Sequence, residues 1–195
     1  MLKIISGRFR QKRLHLPDEK VTRPTMDRVR EAIFNILLHQ YHIHFDQITV
    51  LDAFAGSGAM GLESLSRGAK HIYFVEQDVK VRTVLENNIK LLLGENQTTV
   101  LGTDVLKLGK ASNPVDLVFL DPPYKSDLIE PACSYLYKQG WIHEKTLLCI
   151  ESTSKNIPAS IPSFKKLEQR VYGQSGISFW QHLLEDRAVI LQAES

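Results

Sequence analysis

The spacing of apolar residues changes twice along this chain of 195 residues. Near the start, Val29, Ile33, Ile36 and Leu37 recur every three to four positions, which lines one face of a helix. Arg28, Arg30 and Glu31 fall elsewhere around that helix, and Pro24 and Thr25 are start signals for it. From about residue 48, short apolar runs alternate with helical patterns. Runs at 48–54, 72–75, 99–101, 115–120 and 147–150 read as strands. Segments 59–67, 79–93 and 128–139 read as helices, each followed by a glycine, Gly68, Gly94 or Gly140. In the middle one, Val81, Leu85, Asn88 and Leu92 share a face. Such alternation builds a parallel sheet with helices on both faces. After Pro158 and Pro162 the helical pattern stops, and 166–172 and 177–180 read as two strands joined through Gly173 and Gly176. The expected fold is α/β and Rossmann-like: a mostly parallel seven-stranded sheet that ends in an antiparallel pair. No role is assigned to the tail at 183–195.

Charge changes this picture at one end. The net charge is only +2, but residues 1–30 carry nine Lys/Arg against three Asp/Glu. The remaining chain is net negative. Residues 1–23 look extended, punctuated by Gly7 and Pro17. A basic arm on a slightly acidic body suits a phosphate-bearing partner. Arg8, Arg10, Lys12, Arg13, Arg23 and Arg28 are the candidates for phosphate contact. The chain therefore divides into a basic arm and helix at 1–45, an α/β domain at 46–182, and the tail.

Other classes find little support. Cys133 and Cys149 have neither metal-ligand nor disulfide-framework spacing and read as buried small hydrophobes. His39, His42 and His44 lack a ligand pattern, so no metal is expected. The apolar start of the chain is too short for a signal peptide. No stretch approaches the roughly 18 apolar residues of a membrane span. A cytoplasmic monomer is expected.

Candidate chemistry sits at the ends of the strands. Asp52, Phe54, Gly56, Gly58 and Gly61 follow the first long strand and open a helix. Glycines there let the backbone turn sharply and approach a ligand. Glu76 ends the next strand, where a carboxylate can accept both ribose hydroxyls of an adenosine ligand. Asp104, after the third, can accept from an adenine amine. These features fit a nicotinamide cofactor and S-adenosylmethionine equally well. The fourth strand runs into Asp121, Pro122, Pro123 and Tyr124. Two prolines stiffen that loop and remove two N–H donors. A carboxylate and backbone carbonyls are then left to hold a planar amine, with Tyr124 as a stacking face. An oxidoreductase reading leaves this loop unexplained.

These motifs resemble a known group. Residues 52–61 are similar to the cofactor loop of class I methyltransferases, and Asp121-Pro122-Pro123-Tyr124 to their amine-methylating motif. Arg23-Pro24-Thr25, Asp27-Arg28-Val29-Arg30-Glu31-Ala32 and Phe34-Asn35-Ile36-Leu37 resemble the N-terminal signature of the RsmD family. Gly61-Leu62-Glu63 and Ser66-Arg67-Gly68-Ala69 match its pattern as well. The likeness spans about residues 2–180, with one departure: Gln11 stands where the family often has Gly. The resemblance implies methyl transfer from S-adenosylmethionine to N2 of guanine 966 in 16S rRNA, free or in the small ribosomal subunit. Asp52, Phe54, Gly56, Gly58, Glu76 and Asp104 would then hold the cofactor, and Asp121 through Tyr124 the target amine. Adenine N6 is an equally planar amine, and an inactive RNA-binding assembly factor is the alternative from another class.

Overall fold

A computed structural model describes residues 2–17, 24–123 and 127–183, with 24–26 described by backbone alone. Arg23, Tyr124 and nearly all of the tail, named above, lie outside the described residues. The main sheet has seven strands: β3 (Thr49–Asp52), β4 (His71–Val75), β5 (Thr98–Leu101), β6 (Leu117–Leu120), β7 (Leu147–Thr153), β8 (Phe164–Tyr172) and β9 (Ser175–His182). They lie in the order β5-β4-β3-β6-β7-β9-β8. β3 pairs in parallel with β4 and β6, β4 with β5, and β6 with β7. β9 runs antiparallel to both β7 and β8. The fold is thus the expected α/β sheet with its antiparallel pair at the C-terminal end. Dinucleotide-binding sheets carry a sixth parallel strand beside the fifth. Here the antiparallel β9 takes that place, which removes the fold-level support for a nicotinamide cofactor.

Alternation along the strands sorts the core into two layers. One face of the sheet presents Val50, Ile72, Phe74, Leu117, Phe119, Leu147 and Cys149 to α1 (Pro24–His39), α2 (Ala59–Ser66) and α3 (Val79–Leu91). The other presents Leu51, Val75, Val118, Leu120, Leu148 and Ile150 to α4 (Ile129–Lys138). Val29, Ile33 and Leu37 of α1 are buried, as their spacing predicts. Cys133 and Cys149 are buried and unbridged. β7 outruns its expected end by three residues because Glu151, Ser152 and Thr153 still pair with β9.

The basic arm departs from an extended tail. β1 (Leu2–Lys3) and β2 (Arg13–Leu14) form a small antiparallel hairpin. Leu2, Ile4 and Leu14 are buried in the same core layer as α1 and α2. Backbone groups dock the hairpin on α2. Glu63, wholly buried, accepts from Ile5 N at 2.7 Å, Ser6 N at 3.0 Å and Arg67 Nε at 2.9 Å. Three donors satisfy a carboxylate that would otherwise be costly to bury. Gly7, at φ +82°, crosses α2 so closely that a Cβ would stand 2.0 Å from the Ser66 carbonyl oxygen. Gln11 adopts φ +69°, in the left-handed region where glycine costs least, which accounts for the glycine that the family often places there. Arg30 stands off the apolar stripe of α1 in the sequence pattern, yet it is not exposed. It is buried, donating to the Lys3 carbonyl at 2.5 Å and to Asp27 at 3.0 Å, and so ties α1 to the hairpin.

Candidate active site

The carboxyl ends of β3, β4, β5, β6 and β7 share one edge of the sheet. From β3 the chain proceeds outward through β4 and β5, then returns to β6 and β7 on the other side. The crevice between the loops after β3 and β6 is therefore the switch point where ligands bind in such sheets. Sequence-derived candidates converge on both sides of it.

On the β3 side, the glycine turn is held by the acids around it. Asp52 is buried and accepts from Gly61 N at 2.9 Å, fixing the first turn of α2. Burial pushes its carboxyl up to about 7, with the Gly61 N–H opposing and the nearby Glu76 charge adding to the rise. Gly56 N donates to Glu76 at 3.0 Å, and Asp78 N donates to its other oxygen at 2.9 Å. A carboxylate has about four acceptor positions, so Glu76 keeps capacity for a ligand's hydroxyls. Gly56 has φ +54° and open space where a Cβ would stand, so a ligand can lie against the bare turn. Gly58, by contrast, is packed against Leu85. Phe54 is half-buried at the turn. Asp104 accepts from Leu106 N at 2.9 Å and caps the short 3-10 helix Val105–Lys107. This set fits an adenosine-bearing cofactor: a bare glycine turn, a ribose-level carboxylate, and a further acid on the next strand end.

On the β6 side, Asp121 is exposed, Pro122 buried and Pro123 exposed. Pro122 and Pro123 border a cavity of about 530 Å³ that extends to the N-terminal end of α4 and to the 156–161 segment. Across it stand Glu151, Ser152 and Thr153 at the end of β7. Glu151 lines this cavity, and the motif reading did not include it. Burial raises its carboxyl pKa, and a hydrogen bond with the Ser175 side chain opposes the rise. A signal for it existed: four apolar residues precede Glu151 just as four precede Asp121.

The arm is tied to this site through α3. Asn88, wholly buried in α3, accepts from His15 N at 2.7 Å and donates to the His15 and Ser57 carbonyls, each at 3.0 Å. One side chain thereby joins the arm to the glycine turn. Arg8, Arg10, Lys12, Arg13 and Arg28 are all exposed. Arg8 also donates to Gln97 at 2.5 Å. Among the described residues, no group of three or more His, Cys, Asp or Glu is arranged to hold a metal ion. Nor is any described helix long and apolar enough to cross a membrane.

A sheet of this order, with a glycine turn after its central strand and acids on the neighbouring strand ends, defines a class I methyltransferase fold. Comparison with known proteins sharpens this. The chain belongs to the RsmD family, whose model, described as Conserved hypothetical protein 95, matches residues 2–181. It is 35% identical over 181 residues to "Ribosomal RNA small subunit methyltransferase D" of Escherichia coli strain K12, covering 92% of this chain and 89% of that protein. The protein of the same name from Haemophilus influenzae is 35% identical over 186 residues, covering 93% and 94%. Among solved structures, the Escherichia coli protein yhhF superposes with a TM-score of 0.80 at 34% identity, covering 93% of this chain and 97% of that one.

Proposed function

We propose that this chain is an rRNA methyltransferase that moves a methyl group from S-adenosylmethionine to the exocyclic N2 of a guanine in 16S rRNA, guanine 966 by family resemblance. The observation that carries the reading is the Asp121-Pro122-Pro123 loop at the switch point, one strand away from the glycine turn. The relatives' names support an rRNA substrate. With such a substrate the setting is the cytoplasm.

Bound S-adenosylmethionine supplies an electrophilic methyl group on a sulfonium. Asp52, Phe54, Gly56 and Gly58 form the turn that would cradle it, Glu76 would accept its ribose hydroxyls, and Asp104 its adenine amine. The chain's main task is to position a weak nucleophile, because the guanine N2 lone pair is delocalised into the ring. The Asp121 carboxylate and the Pro122 carbonyl accept the two amine hydrogens and aim the lone pair. Positive charge grows on nitrogen during transfer; Asp121 stabilises it and takes the proton afterwards. Pro123 stiffens the loop, and Tyr124 stacks on the base after it leaves its neighbours. Arg8, Arg10, Lys12, Arg13, Arg23 and Arg28 hold phosphates without reading sequence. The RNA-contacting role is thus assigned to residues 1–45, and the chemistry to 46–182. The test is transfer of labelled methyl groups from S-adenosylmethionine into small subunits lacking the modification, followed by mapping of the labelled nucleoside. Label in N2-methylguanosine supports the reading; label in N6-methyladenosine, or none, overturns it.

A further inference from the structure

The Asp-Pro-Pro loop presents acceptors to a planar amine, and adenine and guanine both have one. Something else must choose between them. β6 and β7 pair in register from Leu117 opposite Leu147 to Leu120 opposite Ile150. The next residue in each segment is an acid, Asp121 just past the end of β6 and Glu151 within β7. Neighbouring strands lie about 4.8 Å apart, so the two acids stand side by side at the sheet edge. Both follow the alternation of Phe119 and Cys149 and so lie on the α1 face. They border one small crevice together with Ile33 and Met60. Burial raises the pKa of the nearby Cys149 thiol, and the charges of both acids add to that rise. Glu151 in addition faces the 530 Å³ cavity shared with Pro122 and Pro123.

We propose that Glu151 is the residue that selects guanine, accepting the N1–H of the base whose N2 amine Asp121 holds. The inference rests on the guanine-N2 reading above. N1 and N2 are adjacent donors on guanine's Watson–Crick edge, the edge by which extruded bases are read. Two carboxylates on neighbouring strands match two adjacent donors. Adenine offers an amine beside an unprotonated ring nitrogen, whose lone pair would face the Glu151 carboxylate. Sites built to accept a substrate N–H reject analogues lacking it by large factors, since the buried acceptor is left unpaired. The Ser175 hydrogen bond orients the carboxylate and opposes the rise in pKa that burial causes.

The test uses small subunits rebuilt with guanine or 2-aminopurine at the nucleotide that label mapping identifies. 2-Aminopurine keeps the N2 amine but has an acceptor at N1. Wild type is expected to methylate guanine at least a hundredfold faster. Glu151→Gln, whose amide can donate to that acceptor, is expected to lower this preference at least tenfold. Misfolded protein scales both rates equally and leaves the ratio unmoved. Equal wild-type rates on the two bases overturn the proposal without any variant, and so does an unchanged ratio in Glu151→Gln. Absence of label from guanine N2 in the unmodified wild-type assay is a different failure, that of the guanine reading itself.

Discussion

On the β3–β4–β5 side of the cleft, every strand-end acid already holds backbone. Asp52 takes the N–H of Gly61, Glu76 those of Gly56 and Asp78, and Asp104 that of Leu106. On the β6–β7 side, Glu151 borders the larger cavity and holds the Ser175 side chain, while Asp121 stands on an exposed loop whose prolines have no N–H to give. The first half is preorganised by hydrogen bonds to backbone. The second borders the larger cavity, at the loop proposed to meet the base. A cofactor that is the same in every turnover suits the former, and a base extruded from a large RNA suits the latter. Changes on the two sides should therefore fail differently, the β6 side in rate and the β3 side in affinity.

Asp121→Ala should show the largest effect. By the usual cost of losing one electrostatic partner of a developing charge, its single-turnover rate should fall on the order of 10²–10³-fold. Its affinity for S-adenosylmethionine should change by less than about tenfold. Single-turnover methylation at saturating RNA, with calorimetry for the cofactor, separates the two. Loss of cofactor binding in this variant would erase the contrast and move Asp121 into the cofactor pocket.

Glu76→Ala should do the reverse. It removes charge-assisted hydrogen bonds worth roughly 1.5–3 kcal/mol each to the cofactor and also releases Gly56 N and Asp78 N. Calorimetry should show affinity reduced by about one to two orders of magnitude for each bond lost. Unchanged affinity would mean that Glu76 serves the turn and not the ligand.

Asp52 tests the cost of preorganisation. Its carboxyl is pushed from 3.8 up to about 7 by burial, so the folded protein binds this proton more tightly than the unfolded chain. Stability from this group is complete below about pH 4 and is lost as pH rises through about 7. Asp52→Asn keeps an acceptor for Gly61 N without the charge. It should raise the unfolding free energy measured in urea at pH 8, by on the order of 1–4 kcal/mol, and leave it unchanged near pH 4. A variant less stable than wild type at pH 8 would show that the charged form is better solvated than its burial implies.

Much of this was readable in the sequence because it depends on period and punctuation. The parallel strands, the antiparallel pair and the four helices follow from apolar spacing, and the glycine turn and proline loop from their residue types. What was missed consists of buried polar side chains with long-range partners. Glu63 looks like an ordinary helical residue, and Asn88 shares the apolar face of α3 with no partner in view, until the hairpin folds over α2 and α3. Arg30 sits one position from the apolar stripe of α1, and only the Lys3 carbonyl explains why it is buried. Glu151 gains its meaning from register with Asp121, a relation between strands separated by a helix. Periodicity reports which face is apolar, not which polar group another segment will satisfy.

The arm gives the smallest effect per residue and the cleanest electrostatic test. Deleting it would remove Leu2, Ile4 and Leu14 from the core, so a truncation would confound binding with folding. Point changes avoid this, because Arg8, Arg10, Lys12 and Arg13 are exposed around the hairpin. Each cation that holds a phosphate adds about 0.7–0.9 to the slope of log affinity against log salt, by release of condensed counterions. Neutralising the four to Gln one at a time should shallow the slope by about that amount each, with the methylation rate at saturating RNA unchanged. Arg30→Gln is the control. Its guanidinium is committed to Lys3 and Asp27, so it should lower thermal stability and leave the salt slope alone. A slope that does not respond to the four exposed residues would place the RNA elsewhere on the surface. A slope that falls in Arg30→Gln alone would mean that the hairpin's position, and not its charge, governs binding.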